Sequence, residues 1–256
     1  MRIAVCAKQI PDPATPYELD PETHFVVRPE EQVLDDTDRY GIEVALQLAE
    51  AAEGTVTLFS MGPAGSMQGI RQALAMGADK AVVIDDEGLR GSGALTTARV
   101  LAAAIEKEGF DLVIAGTEST DGYTGIVPQQ IAELLGVPAL TFARAFSHTD
   151  GKLRIERQTE VGYDVVETEP PALMTVTSGV VEPRYPTFKG IMQAKQKPVE
   201  QVTAADLGIE ETGSVAAGQA ITAVSPVPSR EAGLKIEDDG EGFAEIVKML
   251  EERKVI

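Results

Sequence analysis

The segment 112–136, LVIAGTESTDGYTGIVPQQIAELLG, carries the unit from which the rest of the chain is read. Leu112 to Ala115 form a short, uninterrupted apolar run, the pattern of a strand buried on both faces. The stretch 116–125 then supplies three glycines and several hydroxyls with no periodicity. Ile126 to Leu135 return apolar residues at helical spacing, and Gly136 ends the helix. Strand, glycine-rich turn and helix in that order make half of a βαβ unit, whose ligands sit beyond the carboxyl end of the strand.

The same grammar repeats toward the N-terminus. Ile3 to Ala7, Thr55 to Met61 and Ala81 to Ile84 read as strands. Asp38 to Ala52, Ser66 to Met76 and Ala94 to Glu108 read as helices, each stopped by a glycine. Tyr17 to Arg28 reads as a hairpin turning through Asp20-Pro21-Glu22-Thr23. Short strands alternating with longer helices predict an α/β fold: a doubly wound, mostly parallel, Rossmann-like sheet covered on both faces. Beyond Leu140 the alternation stops. Arg154 to Gln158, Tyr163 to Thr168 and Leu173 to Val176 follow one another as strands, which predicts antiparallel additions at an edge. Residues 1–207 are thus read as one nucleotide-binding domain, and 208–256 as a C-terminal arm. The arm is rich in Gly, Ser, Ala and Pro, including Ser225-Pro226-Val227-Pro228. It ends in a helix with Phe243, Ile246, Val247 and Leu250 on one face, a stripe for its own domain or for a partner.

Composition excludes several classes. Hydrophobic residues make up 43% and charged residues 25%, a globular balance. A formal charge of −19 argues against sequence-neutral nucleic-acid binding. No apolar run approaches the ~18 residues of a membrane span. The single cysteine excludes an intramolecular disulfide framework. A soluble, unprocessed, cytoplasmic protein is expected.

Catalytic motifs are missing. The two histidines, His24 and His148, have no neighbours at metal spacing. Cys6 lies in an apolar strand, where a packed thiol is the ordinary outcome. There is no GxSxG elbow, and Gly62-Pro63-Ala64-Gly65-Ser66 lacks the P-loop lysine. Asp35, Asp36 and Asp38 surround a helix start, where acid caps amides and favours the dipole. The turn is the better candidate. Gly116, Gly122 and Gly125 permit close backbone approach, and Ser119, Thr120 and Thr124 add hydroxyls beside a helix N-terminus, a place suited to phosphate. Glu118 and Asp121 are expected to face solvent or a ribose. The alternative is an unoccupied surface loop.

A second feature lies at 170–198, PPALMTVTSGVVEPRYPTFKGIMQAKQKP. A buried strand runs into a break at Pro183 and Pro186, then into an exposed loop with Phe188, Ile191 and Met192 among Lys189, Lys195 and Lys197. Such a knob either docks a partner protein or folds back on its own core.

The phrase EPRYPTFKGIMQAKQKP resembles the beta subunits of electron transfer flavoproteins. So do Lys8 in MRIAVCAKQIPD, Met61-Gly62-Pro63, RQALAMGADKAV, GTESTDGYTG, and the series Ile155, Arg157, Glu160, Gly162, Val166, Pro171, Thr175. Val161 departs from that pattern, where Gly or Asp is usual, and Asp164, where Glu or Gln is usual. Gln158 stands near a position that often carries a carboxylate.

The resemblance implies an electron carrier without its own active site. AMP would be a structural ligand held by matching positions: Cys6, Asp35, Asp36, Thr37, Asp38 and Met61, with Gly116, Thr117, Glu118, Ser119, Thr120, Asp121, Gly122, Tyr123 and Thr124. The family loop is often longer, and its Asn-Pro-aromatic sequence is not repeated at 35–38. FAD would lie mainly on an alpha subunit wrapped by the C-terminal arm. The loop 183–198, through Phe188, Lys189, Ile191 and Met192, would dock acyl-CoA or related dehydrogenases, with electrons leaving to a quinone reductase. Two alternatives stand: a bifurcating branch with a second FAD in the same cleft, and a stand-alone homodimeric ATP- or AMP-binding stress-type protein.

Overall fold

A computed structural model describes residues 1–218, 220–225, 227–229, 232–237 and 240–256. Pro226, within the stretch read as linker, lies outside the described residues. Residues 1–221 form one compact unit and 222–256 another.

In the first unit, β1 (Arg2–Cys6) leads through the short antiparallel pair β2 (Gln9–Ile10) and β3 (Val33–Leu34) into α1 (Asp36–Ala52). Then come β4 (Thr55–Met61), α2 (Gln68–Met76), β5 (Lys80–Ile84), α3 (Ala94–Glu108), β6 (Leu112–Gly116) and α4 (Val127–Leu135). The chain continues through β7 (Ala139–Thr149), β8 (Lys152–Gln158), β9 (Tyr163–Thr168), β10 (Ala172–Val176), α5 (Phe188–Ala194), β11 (Val199–Val202) and α6 (Gly213–Ala217). The nine-stranded sheet has the order β11-β5-β4-β1-β6-β10-β7-β8-β9. From β11 to β7 every pairing is parallel. Both β8 and β9 join antiparallel.

Central strands are apolar because both their faces are covered. Every residue of β6 and β10 is buried. On one side Ile42, Leu46, Ile70 and Leu74 of α1 and α2 pack on the sheet with Ala194 of α5. On the other, Val100, Leu101 and Ile105 of α3 pack with Ile131 of α4. This is the expected doubly wound architecture, and β8 and β9 form the expected antiparallel edge. Leu173 to Val176, expected beside them, instead lies in β10 inside the sheet, parallel to both β6 and β7, because its residues are all buried and covered on both faces.

Four further details differ from the sequence reading. The hairpin at 17–28 reduces to a single bridge, Leu19 to Val26, around a turn in which Asp20 accepts from the Thr23 amide. The long strand β7 escapes periodicity because Phe142 takes a left-handed φ of 58° and the register shifts beside it. Phe142 donates its N–H to Thr175 Oγ1. The third is β11, a parallel edge strand reached from β10 by a crossover spanning β6, β1, β4 and β5. Finally, α6 opens on a left-handed Gly213, where a side chain would collide with the Gly88 and Arg90 carbonyls. In the second unit, α7 (Gly242–Glu252) leaves Phe243, Ile246 and Val247 exposed.

Candidate functional site

From β1 the chain winds outward through β4 and β5, then returns to β6 on the other side of β1. The carboxyl ends of β1 and β6 therefore flank a topological switch point, the place where open α/β sheets hold ligands. Cys6 ends β1, and the glycine-rich loop leaves β6 at Gly116. A Cβ at Gly116 would stand 3.1 Å from Asp38 Oδ1 and 3.4 Å from Thr37 Oγ1. Glycine here lets the loop pass directly over the first turn of α1.

Buried carboxylates fasten that loop. Asp35 caps α1 by accepting from the Thr37 amide at 3.0 Å, and its other oxygen accepts from the Thr120 amide at 2.7 Å. Thr37 Oγ1 lies 2.8 Å from Asp35 Oδ1 and 3.2 Å from the Glu118 carbonyl, one hydroxyl proton for two acceptors. Asp38 accepts the Lys8 amide at 2.7 Å. Burial, and then the Asp35 charge, push the Asp38 carboxyl well above the usual range. Burial beside Asp38 likewise raises the Cys6 thiol to about 12, so it stays protonated at neutral pH.

Asp121 corrects an expectation. Its side chain is 1% exposed, not turned to solvent, and it bridges Lys8 Nζ at 2.7 Å and Arg28 Nη2 at 2.6 Å. Burial alone would raise its pKa; the two cations outweigh that and hold it below the ordinary value. Two cations on one carboxylate leave the trio net positive, so an inward Asp121 does not repel an anion. Lys8 and Arg28 were not among the expected site residues. They lie 113 and 93 residues from Asp121, and no local spacing links them.

The remaining expected residues divide. Lys8 Nζ also reaches Ser119 Oγ at 3.4 Å. Thr117 Oγ1 donates to the Val176 carbonyl, tying the loop to β10. Asp36 is exposed and pairs with Arg39. Met61 sits half-buried at the end of β4, against the apolar layer of α3 and α4. Glu118, Gly122, Tyr123 and Thr124 are exposed. Ile126 caps α4 without a side-chain acceptor, so the first-turn amides of that helix are left to solvent or a ligand. Among the described residues no cluster of His, Cys, Asp or Glu is arranged to hold a metal.

The stretch after Pro186 is not a loop but the short helix α5, capped by Thr187, whose Oγ1 accepts the Gly190 amide at 3.0 Å. Phe188 is 82% exposed, and Lys189, Ile191 and Met192 are exposed beside it. Lys197 does not join this charged knob. Its ammonium donates to the Leu74, Gly77 and Ala78 carbonyls, closing the C-terminus of α2. Gln158 and Asp164 lie in the β8–β9 hairpin, and Val161 stands exposed at its turn.

The electron transfer flavoprotein domain family matches residues 23–207. The electron transfer flavoprotein subunit beta of Mycobacterium tuberculosis is 43% identical over 264 aligned residues, covering 99% of each chain. That of Megasphaera elsdenii is 36% identical, covering 94% of each. Subunit CarD of the caffeyl-CoA reductase-Etf complex of Acetobacterium woodii is 37% identical, covering 82% of this chain and 80% of its own.

Proposed function

Since the chain belongs to the beta-subunit family of electron transfer flavoproteins, an electron-transfer family, we propose how it serves a heterodimer. It carries no reaction centre of its own. It supports the FAD of an alpha subunit, holds AMP as a structural ligand, and docks acyl-CoA or related dehydrogenases through α5. Electrons pass from the dehydrogenase flavin to that FAD and on to a quinone reductase.

The observation that carries the nucleotide assignment is the pinned glycine-rich loop at the switch point. Its backbone is held by Asp35 and Asp121, so the donors facing the crevice are fixed before a ligand arrives. The α4 amides and the hydroxyls of Ser119 and Thr124 suit a phosphate, and the Lys8–Asp121–Arg28 trio adds positive potential nearby. No helix among the described residues is long and apolar enough to cross a membrane. The C-terminal arm, with the exposed stripe of α7, is assigned to wrapping the alpha subunit.

Denaturing the purified heterodimer and separating the released nucleotides by chromatography tests the site. AMP in stoichiometric amount with the protein is expected, beside the alpha subunit's FAD. The likeness to a subunit of a caffeyl-CoA reductase-Etf complex favours a second reading, in which the crevice holds a second FAD. Twice the FAD and no AMP would select that reading; FAD alone in single stoichiometry would refute both.

A further inference from the structure

We infer that Arg71 and Arg184 are positioning residues for partner docking: they clamp the two ends of α5 so that Phe188, Ile191 and Met192 are presented in a fixed array. This rests on the reading of α5 as the docking element. A helix of this length does not persist alone, because the cost of nucleation exceeds what so few bonds return. Its order must come from what it is bolted to.

At the entrance, Arg184 makes a fork with two carboxylates of α1. Its Nε and Nη2 donate to the two oxygens of Glu43 at 2.7 and 3.1 Å, and its backbone amide reaches Glu43 Oε2 at 3.2 Å. Nη1 and Nη2 reach the oxygens of Glu50 at 2.6 and 3.3 Å. At the exit, Arg71 of α2 donates from Nη1 to the Ala194 carbonyl at 2.7 Å and to the Lys197 carbonyl at 2.9 Å. The first is a terminal acceptor of α5, which no helical amide satisfies, and the second lies in the turn just beyond the helix. Between the clamps, Gly190 lies so close to the Ala75 carbonyl of α2 that a side chain there would collide with it. Ala194 is buried in the core below. Every fastening lies on the inner side, and the apolar crown carries none. A preordered crown meets its pocket without the entropy loss of folding a loop at the moment of contact.

Neither guanidinium is needed to reach a partner. Arg71 spends its Nη1 on backbone carbonyls, and Arg184 is engaged by the two glutamates. Their effect on electron transfer therefore runs through geometry. It should appear in the concentration of dehydrogenase required, not in the limiting rate.

The test uses the purified heterodimer and a reduced acyl-CoA dehydrogenase, with flavin reduction followed by stopped flow across a dehydrogenase titration. Arg71→Met should raise the half-saturating concentration about tenfold, as expected for re-imposing an ordering cost on docking. The limiting rate should hold, and Arg71→Lys should restore part of the affinity. Hydrogen exchange at the amides of 188–194 should quicken in Arg71→Met while exchange in α2 stays unchanged. Arg184→Gln provides the second variant, and its exchange should quicken at the same amides. Phe188→Ala runs in parallel. If it weakens docking while both arginine variants titrate like the parent, positioning is overturned and the docking reading stands. If Phe188→Ala is also without effect, the docking reading itself fails. A fall in limiting rate at unchanged half-saturation would overturn positioning as well.

Discussion

Asp121 shows what a single side chain contributes and why sequence could not orient it. A carboxylate in a glycine-rich loop reads as solvated; its burial is decided by Lys8 and Arg28, which arrive from distant parts of the chain. Asp35 is the opposite case. An acid just before a helical pattern predicts a cap, and it caps α1, although its second bond to Thr120 had no local signal. The Asp121 carboxyl titrates below its unfolded value, so its contribution is full above the unfolded pKa of about 3.9 and is lost as pH falls through the folded one. Asp121→Asn is expected to destabilise by about 2 kcal/mol at pH 7, allowing for the partial exposure of both cations. Urea unfolding at pH 7 and near pH 3 checks this, and the difference between variant and parent should shrink at the lower pH. Glu43 obeys the same sign. Burial alone would raise it, but the Arg184 fork and Gln47 hold it below the ordinary value. Glu43→Gln should therefore flatten the acid limb of the stability curve.

Among the elements, those with clean periodicity were legible and those imposed by tertiary contacts were not. The strands β1, β4, β5 and β6 and their helices follow from apolar runs and glycine stops, with ends displaced by a residue or two, whereas the short pair β2 and β3 left no such signal. Phe142 interrupts the alternation of β7, and nothing in Val199 to Val202 marks β11 as a strand until β5 is beside it. The break at Pro183 and Pro186 was readable; the helix after it was not, because its stability is borrowed from α1 and α2. The expected outcomes at this scale concern α5 and the C-terminal arm. Phe188→Ala should raise the dehydrogenase concentration needed for flavin reduction while leaving FAD and nucleotide content intact, since so exposed a ring contributes little to folding. The same titration at low and moderate salt should show Lys189 and Lys195 assisting only at low salt. A chain ending at Ile221 keeps the whole first unit, so its cooperative unfolding should persist. Without the stripe of α7 it should no longer co-elute with the flavin subunit in size-exclusion chromatography.

For the whole molecule, the fold class was readable from alternation, whereas the strand order was not. Repeated βα units predict a parallel sheet, but the insertion of β10 between β6 and β7 depends on pairings remote in sequence. The crevice was legible to the extent that a glycine-rich turn marks the end of a strand. Its charge network was not, because its members come from the start of the chain and from a loop far beyond it. One topological fact bears on how the protein is made. The crossover from β10 to β11 traverses four strands, and its seat consists of α1, α2 and the edge of β5. Such remote closures are slow, since chain entropy is surrendered before any contact rewards it. Pulse-labelled hydrogen exchange during refolding should accordingly find the amides of 188–202 protected last. On the docking role proposed for α5, an immature chain would lack its docking element, making assembly of the sheet a checkpoint on entry into redox traffic.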